Sequence, residues 1–135
     1  MLLQQIEECA KEVYKILGPG HNESVYHEAL LIELRLNNIV CESEYVIPIH
    51  YKGKFVGNGR ADIVAYGASP SGVNGHDLRG VVVELKAVND VYRPRFYSKI
   101  KSYMRFLDID QGLLINFPQR SNINSANIEV IPLEI

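Results

Sequence analysis

The chain opens on a helical period. Leu2, Leu3, Ile6, Cys9, Ala10, Val13, Ile16 and Leu17 recur at steps of three and four, with Gln4, Glu7, Glu8, Lys11, Glu12 and Lys15 between them. Such a stripe predicts an amphipathic helix with one face on a core, ended by Gly18-Pro19-Gly20. A second helix follows, with Asn22 or Ser24 as its cap and Glu23 early, where the helix dipole favours an anion. Its apolar set (Val25, Ala29, Leu30, Ile32, Leu34, Leu36) covers much of the circumference, as in a helix wedged between a sheet and its neighbours. Asn37-Asn38 ends it.

From Cys41 the period shortens to that of strands. Tyr45-Val46-Ile47-Pro48-Ile49 predicts the first, and Pro48 places it at a sheet edge or a bulge, because proline cannot donate to a ladder. Tyr51-Lys52-Gly53-Lys54 reads as a turn. Phe55-Val56 then leads through a glycine-rich kink into a strand carrying Asp62. Residues 67–80 predict a long exposed loop, a length uncommon without a function. Val81-Val82-Val83, after Gly80, predicts a buried strand. Arg93 to Leu107 predicts a helix with Phe96, Ile100, Tyr103, Met104 and Leu107 on one face. Gly112 to Phe117 predicts another buried strand, and polar Ser121 to Asn127 links it to a last strand, Ile128 to Ile135. Helix, helix, three strands, helix, two strands implies an α/β fold. The expected sheet is an antiparallel meander continuing into a mixed central β-sheet, flanked by helices on both faces. The 93–107 helix should make a right-handed parallel crossover.

Composition changes this picture little. A chain of 135 residues has the length of one domain, 1–135, and 47% hydrophobic with 22% charged residues is ordinary for a globular protein. A formal net charge of −2 means that any affinity for a polyanion must come from a local patch. No apolar run approaches a membrane span and the amino terminus lacks a signal-peptide pattern, so the expectation is a cytoplasmic protein (nuclear in a eukaryotic or viral setting) that is not secreted and meets no membrane. Cys9 and Cys41 lie far apart without metal-ligand spacing and read as buried thiols of a reducing compartment.

The chemistry begins where the apolar run breaks. Val81-Val82-Val83 continues as Glu84-Leu85-Lys86, and side chains alternate across a strand, so Glu84 and Lys86 share one face while Leu85 points into the other layer. Ions at the end of a buried strand are costly unless paired. Asp62 sits similarly, after Arg60-Ala61 and before Ile63-Val64-Ala65. If the two strands are neighbours, Asp62, Glu84 and Lys86 converge. Two carboxylates with room for water suit Mg²⁺, and a nearby ammonium can orient a nucleophile. Glu84 and Lys86 also read as a structural ion pair at a strand end.

Gly20-His21-Asn22-Glu23-Ser24-Val25-Tyr26, continuing His27-Glu28-Ala29-Leu30, resembles the GxxExxY signature of a family in the PD-(D/E)xK nuclease superfamily. Arg60-Ala61-Asp62, Val83-Glu84-Leu85-Lys86-Ala87 and Leu113-Leu114-Ile115-Asn116-Phe117 resemble that family's acidic strand, ExK strand and following strand, so the likeness spans roughly residues 5 to 118. It implies a restriction-endonuclease-like core that hydrolyses phosphodiesters of DNA or RNA with Mg²⁺ (or Mn²⁺). It implies Asp62 and Glu84 as metal ligands, Lys86 as the water-orienting or charge-stabilising lysine, and Glu23 as a further catalytic and metal-site carboxylate. Tyr26 reads as an inward partner of Glu23, or as core with its hydroxyl on an active-site carboxylate; a Glu23–His27 metal pair is the remaining alternative. The competing function is a non-catalytic nucleic-acid- or protein-binding module that retains the fold, and a metal-dependent hydrolase of other substrates is a third.

Related nucleases often carry Gln-x-x-x-Tyr on the helix after the ExK strand, where this chain reads Lys99-Ile100-Lys101-Ser102-Tyr103. Lys99 there either contacts a phosphate or weakens metal binding by placing a cation nearby, and Tyr103 supports the site. Arg93, Arg95, Lys99, Lys101 and Arg105, interleaved with Tyr92, Phe96 and Tyr97, form the one dense basic cluster. It reads either as a solvated helix face or as a track for a phosphate backbone, with Arg95, Lys99, Lys101 and Arg105 as nucleic-acid contacts. A small nuclease core often needs a second copy to cut both strands, which makes a homodimer or a protein partner a further expectation.

Overall fold

The computed structural model describes residues 2–67, 80–89, 93–119 and 127–131. Residues 68–79 of the expected loop, the link after Gln119 and the end of the last strand lie outside them. The elements run α1 (Leu2–Leu17), α2 (Glu23–Leu36), β1 (Val40–Tyr51), β2 (Lys54–Tyr66), β3 (Gly80–Lys86), α3 (Arg93–Leu107), β4 (Gly112–Asn116) and β5 (Asn127–Ile131). Among the described residues, no helix is long and apolar enough to cross a membrane.

Local chemistry sets the boundaries. Gly18, at φ 66, takes the left-handed conformation that follows α1. Asn38, at φ 60, does the same after α2, where the N–H groups of Asn38 and Ile39 return to the carbonyls of Arg35 and Leu34. α3 ends likewise on Asp108, at φ 56, with Ile109 N–H on the Met104 carbonyl. After α2 and α3 the residue following the turn, Ile39 or Ile109, is buried and pins the helix end to the core. Asn22 stands at the N-cap of α2 without a capping side-chain bond.

The strands form one mixed sheet in the order β1-β2-β3-β4-β5. β1/β2, β2/β3 and β4/β5 are antiparallel, and β3/β4, joined through α3, is parallel. Lys52 and Gly53, at φ 49 and 79, make the two-residue hairpin between β1 and β2. β1 is longer than its apolar pattern indicates. It lies at the margin of the sheet and its register shifts between Ile49 and His50, so Pro48 marks both an edge and a nearby irregularity.

The sheet carries a core on each face, as an α/β domain requires. On one, Ile6, Val13, Tyr14, Leu30 and Leu34 of α1 and α2 pack on Ile63, Val83, Leu85, Leu113 and Ile115. On the other, Ile100, Tyr103 and Met104 of α3 pack on Ala61, Val64, Val82 and Leu114. The alternation of β3 divides it between them: Val83 and Leu85 face α1 and α2, and Val82 faces α3. Cys9 is buried, but Cys41 near the sheet margin is only half-buried, and both thiols are free.

Candidate active site

The β2/β3 ladder runs from Tyr66↔Gly80 to Ile63↔Val83 and then changes character. One step further, the Asp62 N–H donates to Glu84 Oε1 at 3.0 Å, and the Leu85 N–H donates to Asp62 Oδ2 at 2.8 Å. Two side-chain carboxylates here satisfy main-chain donors that need acceptors once buried. On the other side of β2, the register passes from Ser43↔Ile63 to Tyr45↔Ala61, leaving Glu44 (φ 51) and Asp62 out of the paired positions.

Glu84 is 1% exposed. Its Oε2 lies 3.3 Å from Lys99 Nζ, which reaches it from α3. Burial first and the neighbouring Asp62 charge second push the Glu84 carboxyl up to about 7, while Lys99 and the Asp62 N–H hold it down. Burial pulls Lys99 the other way, but the Glu84 charge outweighs it and the ammonium is held above its usual value. A carboxylate pair in a low dielectric favours a cation beside it.

Lys86 has a different partner. Its Nζ stands 4.4 Å over the Phe96 ring and 3.9 Å from Glu23 Oε1 at the start of α2. The expected strand-end pair of Glu84 with Lys86 is therefore replaced by two pairs, Glu84–Lys99 and Lys86–Glu23, because α3 and α2 each bring a complementary charge. Burial raises the Glu23 carboxyl, Lys86 opposes it and Asp62 adds to it, with a net upward shift. Glu23 thus shares the electrostatic field of Asp62. Among the described residues, no three His, Cys, Asp or Glu side chains stand close enough to hold an ion as a set.

The two tyrosines support this region in different ways. Tyr26 is fully buried, and its hydroxyl donates to the Gly18 carbonyl at 2.7 Å rather than to an active-site carboxylate. The same oxygen accepts from Gln119 Nε2 at 3.3 Å, and the ring stacks on Phe117 at 4.5 Å. Tyr26 therefore ties the α1–α2 turn to the end of β4. His27 shares a hydrogen bond with Ser43 Oγ at 3.0 Å. Tyr103 lies near the carboxylates: its hydroxyl accepts the Arg60 N–H at 3.2 Å, two residues before Asp62.

Lys99 sets its ammonium beside Glu84, the placement behind the expectation that a cation there weakens metal binding, rather than out along the exposed face of α3. Arg95 and Arg105 are exposed, whereas Lys101 is half-buried and already engaged. Two further residues support the site. Phe96 lies under the Lys86 ammonium. Asn116, 4% exposed, donates to the Val88 carbonyl at 2.9 Å and accepts the Val88 N–H at 3.1 Å, while Phe117 N–H donates to the Lys86 carbonyl at 2.8 Å. These bonds hold the chain just after Lys86. A polar residue ending an apolar strand was the available signal, the same anomaly that marks Glu84.

The donor set fits a hard divalent ion. Such an ion needs one or two carboxylates and otherwise keeps waters or takes substrate oxygens. Asp62 Oδ1 accepts no hydrogen bond among the described residues, and Glu84 Oε2 is bonded to a cation.

The family whose model matches residues 1–128 is described as the PD-(D/E)XK nuclease superfamily. The chain belongs to that superfamily. Its mixed sheet between helices is the α/β, restriction-endonuclease-like fold. PD-(D/E)XK nucleases generally use divalent metals. The crystal structure of SSO0001 is similar to this PD-(D/E)XK chain in fold, with a TM-score of 0.57 at 20% identity. The likeness covers 83% of this chain and 51% of that one, so the chain spans about half the length of that protein. No curated protein gives a significant match.

Proposed function

We propose that the chain is a nuclease that hydrolyses phosphodiesters of nucleic acid with Mg²⁺ or Mn²⁺ held by Asp62 and Glu84. The observation that carries this reading is the interlock of the two carboxylates at the end of the β2/β3 ladder, with Lys86 on the same face. When bound, the ion would polarise a phosphoryl oxygen and acidify a water. The chain's own residues do the rest. Main-chain donors fix the two carboxylates, which reduces the freedom lost when they act as ligands. Lys86, held over Phe96, presents its ammonium to orient the attacking water or to offset charge on the phosphate. Glu23 steers and neutralises Lys86 from the start of α2. The Gly20-to-Tyr26 block carries this pairing, in keeping with its resemblance to the GxxExxY family.

The test is a calorimetric Mn²⁺ titration of the wild type beside Glu84→Gln and Asp62→Asn, followed by cleavage assays on DNA and RNA. Saturable binding lost in both variants supports the reading. Equal weak binding in all three removes it. The Glu84–Lys99 pair favours a second reading, because a structural pair there is what a non-catalytic binding module would keep. That module predicts nucleic-acid binding unaffected by either carboxylate substitution.

A further inference from the structure

The Glu84 oxygen bonded to a cation is also one that a bound metal ion would need. Glu84 Oε1 accepts the Asp62 N–H, and Oε2 faces Lys99 Nζ at 3.3 Å. Lys99 stands where related nucleases often carry the glutamine of Gln-x-x-x-Tyr, and a neutral amide there would leave that oxygen without a charged partner. Its side chain is 38% exposed, so the ammonium has somewhere to go, whereas Glu84 is locked in the sheet. Tyr103, one helical turn on, offers its ring 5.7 Å from the ammonium. Lys86 does not compete for the same oxygen, because Glu23 and Phe96 hold it.

We propose that Lys99 is a built-in competitor of the metal. Its ammonium occupies Glu84 in the ion-free protein and must leave before a divalent ion can bind there. This inference rests on the metal site proposed for Asp62 and Glu84 and adds its regulation. Two cations cannot share one carboxylate oxygen at close range without strong repulsion, so the exchange weakens metal affinity by whatever the Glu84–Lys99 contact contributes. The displaced ammonium lies at the same site and is free to meet a substrate phosphate. A phosphate that engages Lys99 therefore strengthens metal binding, and the metal strengthens phosphate binding by the same factor. A neutral amide at this position would leave only the coupling that arises from direct contact between ion and phosphate, so the lysine adds to the preference of the site to load when nucleic acid is present.

The experiment is a Mn²⁺ titration by calorimetry at alkaline pH, where Glu84 is ionised, on wild type, Lys99→Gln, Lys99→Arg and Glu84→Gln. Thermal melts serve as the folding control. Lys99→Gln is expected to bind Mn²⁺ on the order of tenfold more tightly than wild type. Lys99→Arg, which keeps the charge, should stay as weak as wild type. Unchanged or weaker binding in Lys99→Gln, with binding still lost in Glu84→Gln, overturns this inference and leaves the metal site standing. Binding that survives Glu84→Gln overturns both. A second readout uses wild type alone: Mg²⁺ should shift the side-chain NMR signals of Lys99, assigned by through-bond correlation to its own backbone. A Lys99 signal unmoved by saturating Mg²⁺ overturns the competition even if a variant fails to fold.

Discussion

Gly59 and Tyr103 meet so closely that a Cβ on the glycine would lie 2.6 Å from the tyrosine Cε1. The glycine lets α3 sit low on β2, and that approach allows the Tyr103 hydroxyl to take the Arg60 N–H. Gly59→Ala should push the ring away and weaken this bond, costing about 1–3 kcal/mol by overpacking. Urea denaturation of Gly59→Ala, Tyr103→Ala and the double variant checks it. The alanine at residue 59 should cost much less once the ring is gone, and additive costs would show that the contact is not the cause.

Burial and Asp62 give the ion-free protein a definite pH response. Between the ordinary carboxyl value and about 7, the folded state keeps a proton on Glu84 that the unfolded chain has released. Stability therefore falls as pH rises through that window, by on the order of 3 kcal/mol. Glu23 shifts in the same direction. Denaturation in EDTA across about pH 5 to 8 should show the decline, and Glu84→Gln should flatten most of it. A stability that rises with pH in this window would contradict the assignment.

Tyr26 separates a structural tyrosine from a catalytic one. Tyr26→Phe keeps the stack on Phe117 and loses the bond to the Gly18 carbonyl. The expected cost is about 1–2 kcal/mol of stability, with Mn²⁺ affinity unchanged. Loss of metal binding at full stability would move Tyr26 into the site.

The exposed arginines of α3 test the nucleic-acid face. Arg95→Ala and Arg105→Ala should each weaken binding to an oligonucleotide and reduce the slope of log K against log salt by about one. Fluorescence anisotropy over a salt series measures both. Unchanged affinity and slope would return these residues to the role of a solvated helix face.

Element type was well advertised by the chain where burial is one-sided, because a single apolar stripe over Leu2 to Leu17 or Phe96 to Leu107 admits one secondary structure. The start of β1 was not. Glu42, Ser43 and Glu44 are exposed at the sheet margin, so no alternation marks them as strand. In the site, Glu84 stood out because a carboxylate at the end of an apolar strand contradicts its surroundings. Its partner was less accessible to reading. Spacing within β3 places Lys86 beside it, but the ammonium that arrives comes from α3, fifteen residues further on. Such pairings depend on how a helix crosses the sheet, and no local period records that. Tyr26 shows the converse: its motif was plain, while its hydroxyl partner, a turn carbonyl, depends on the chain reversal at Gly18.

The proline in β1 bears on how this protein behaves in a crowded solution. An outermost strand offers its unpaired backbone to any extended segment that comes alongside, and long flat margins recruit neighbouring chains into fibres. Pro48 withdraws a donor near the far end of that margin, the register shift after Ile49 roughens it, and Glu42 and Glu44 line its start with negative charge. Exposed Val40 and Val46 would otherwise make it a template. Replacing Pro48 by valine would restore a donor and add an apolar side chain to that boundary, leaving the register shift and the Glu42 and Glu44 charges as its remaining guards against aggregation.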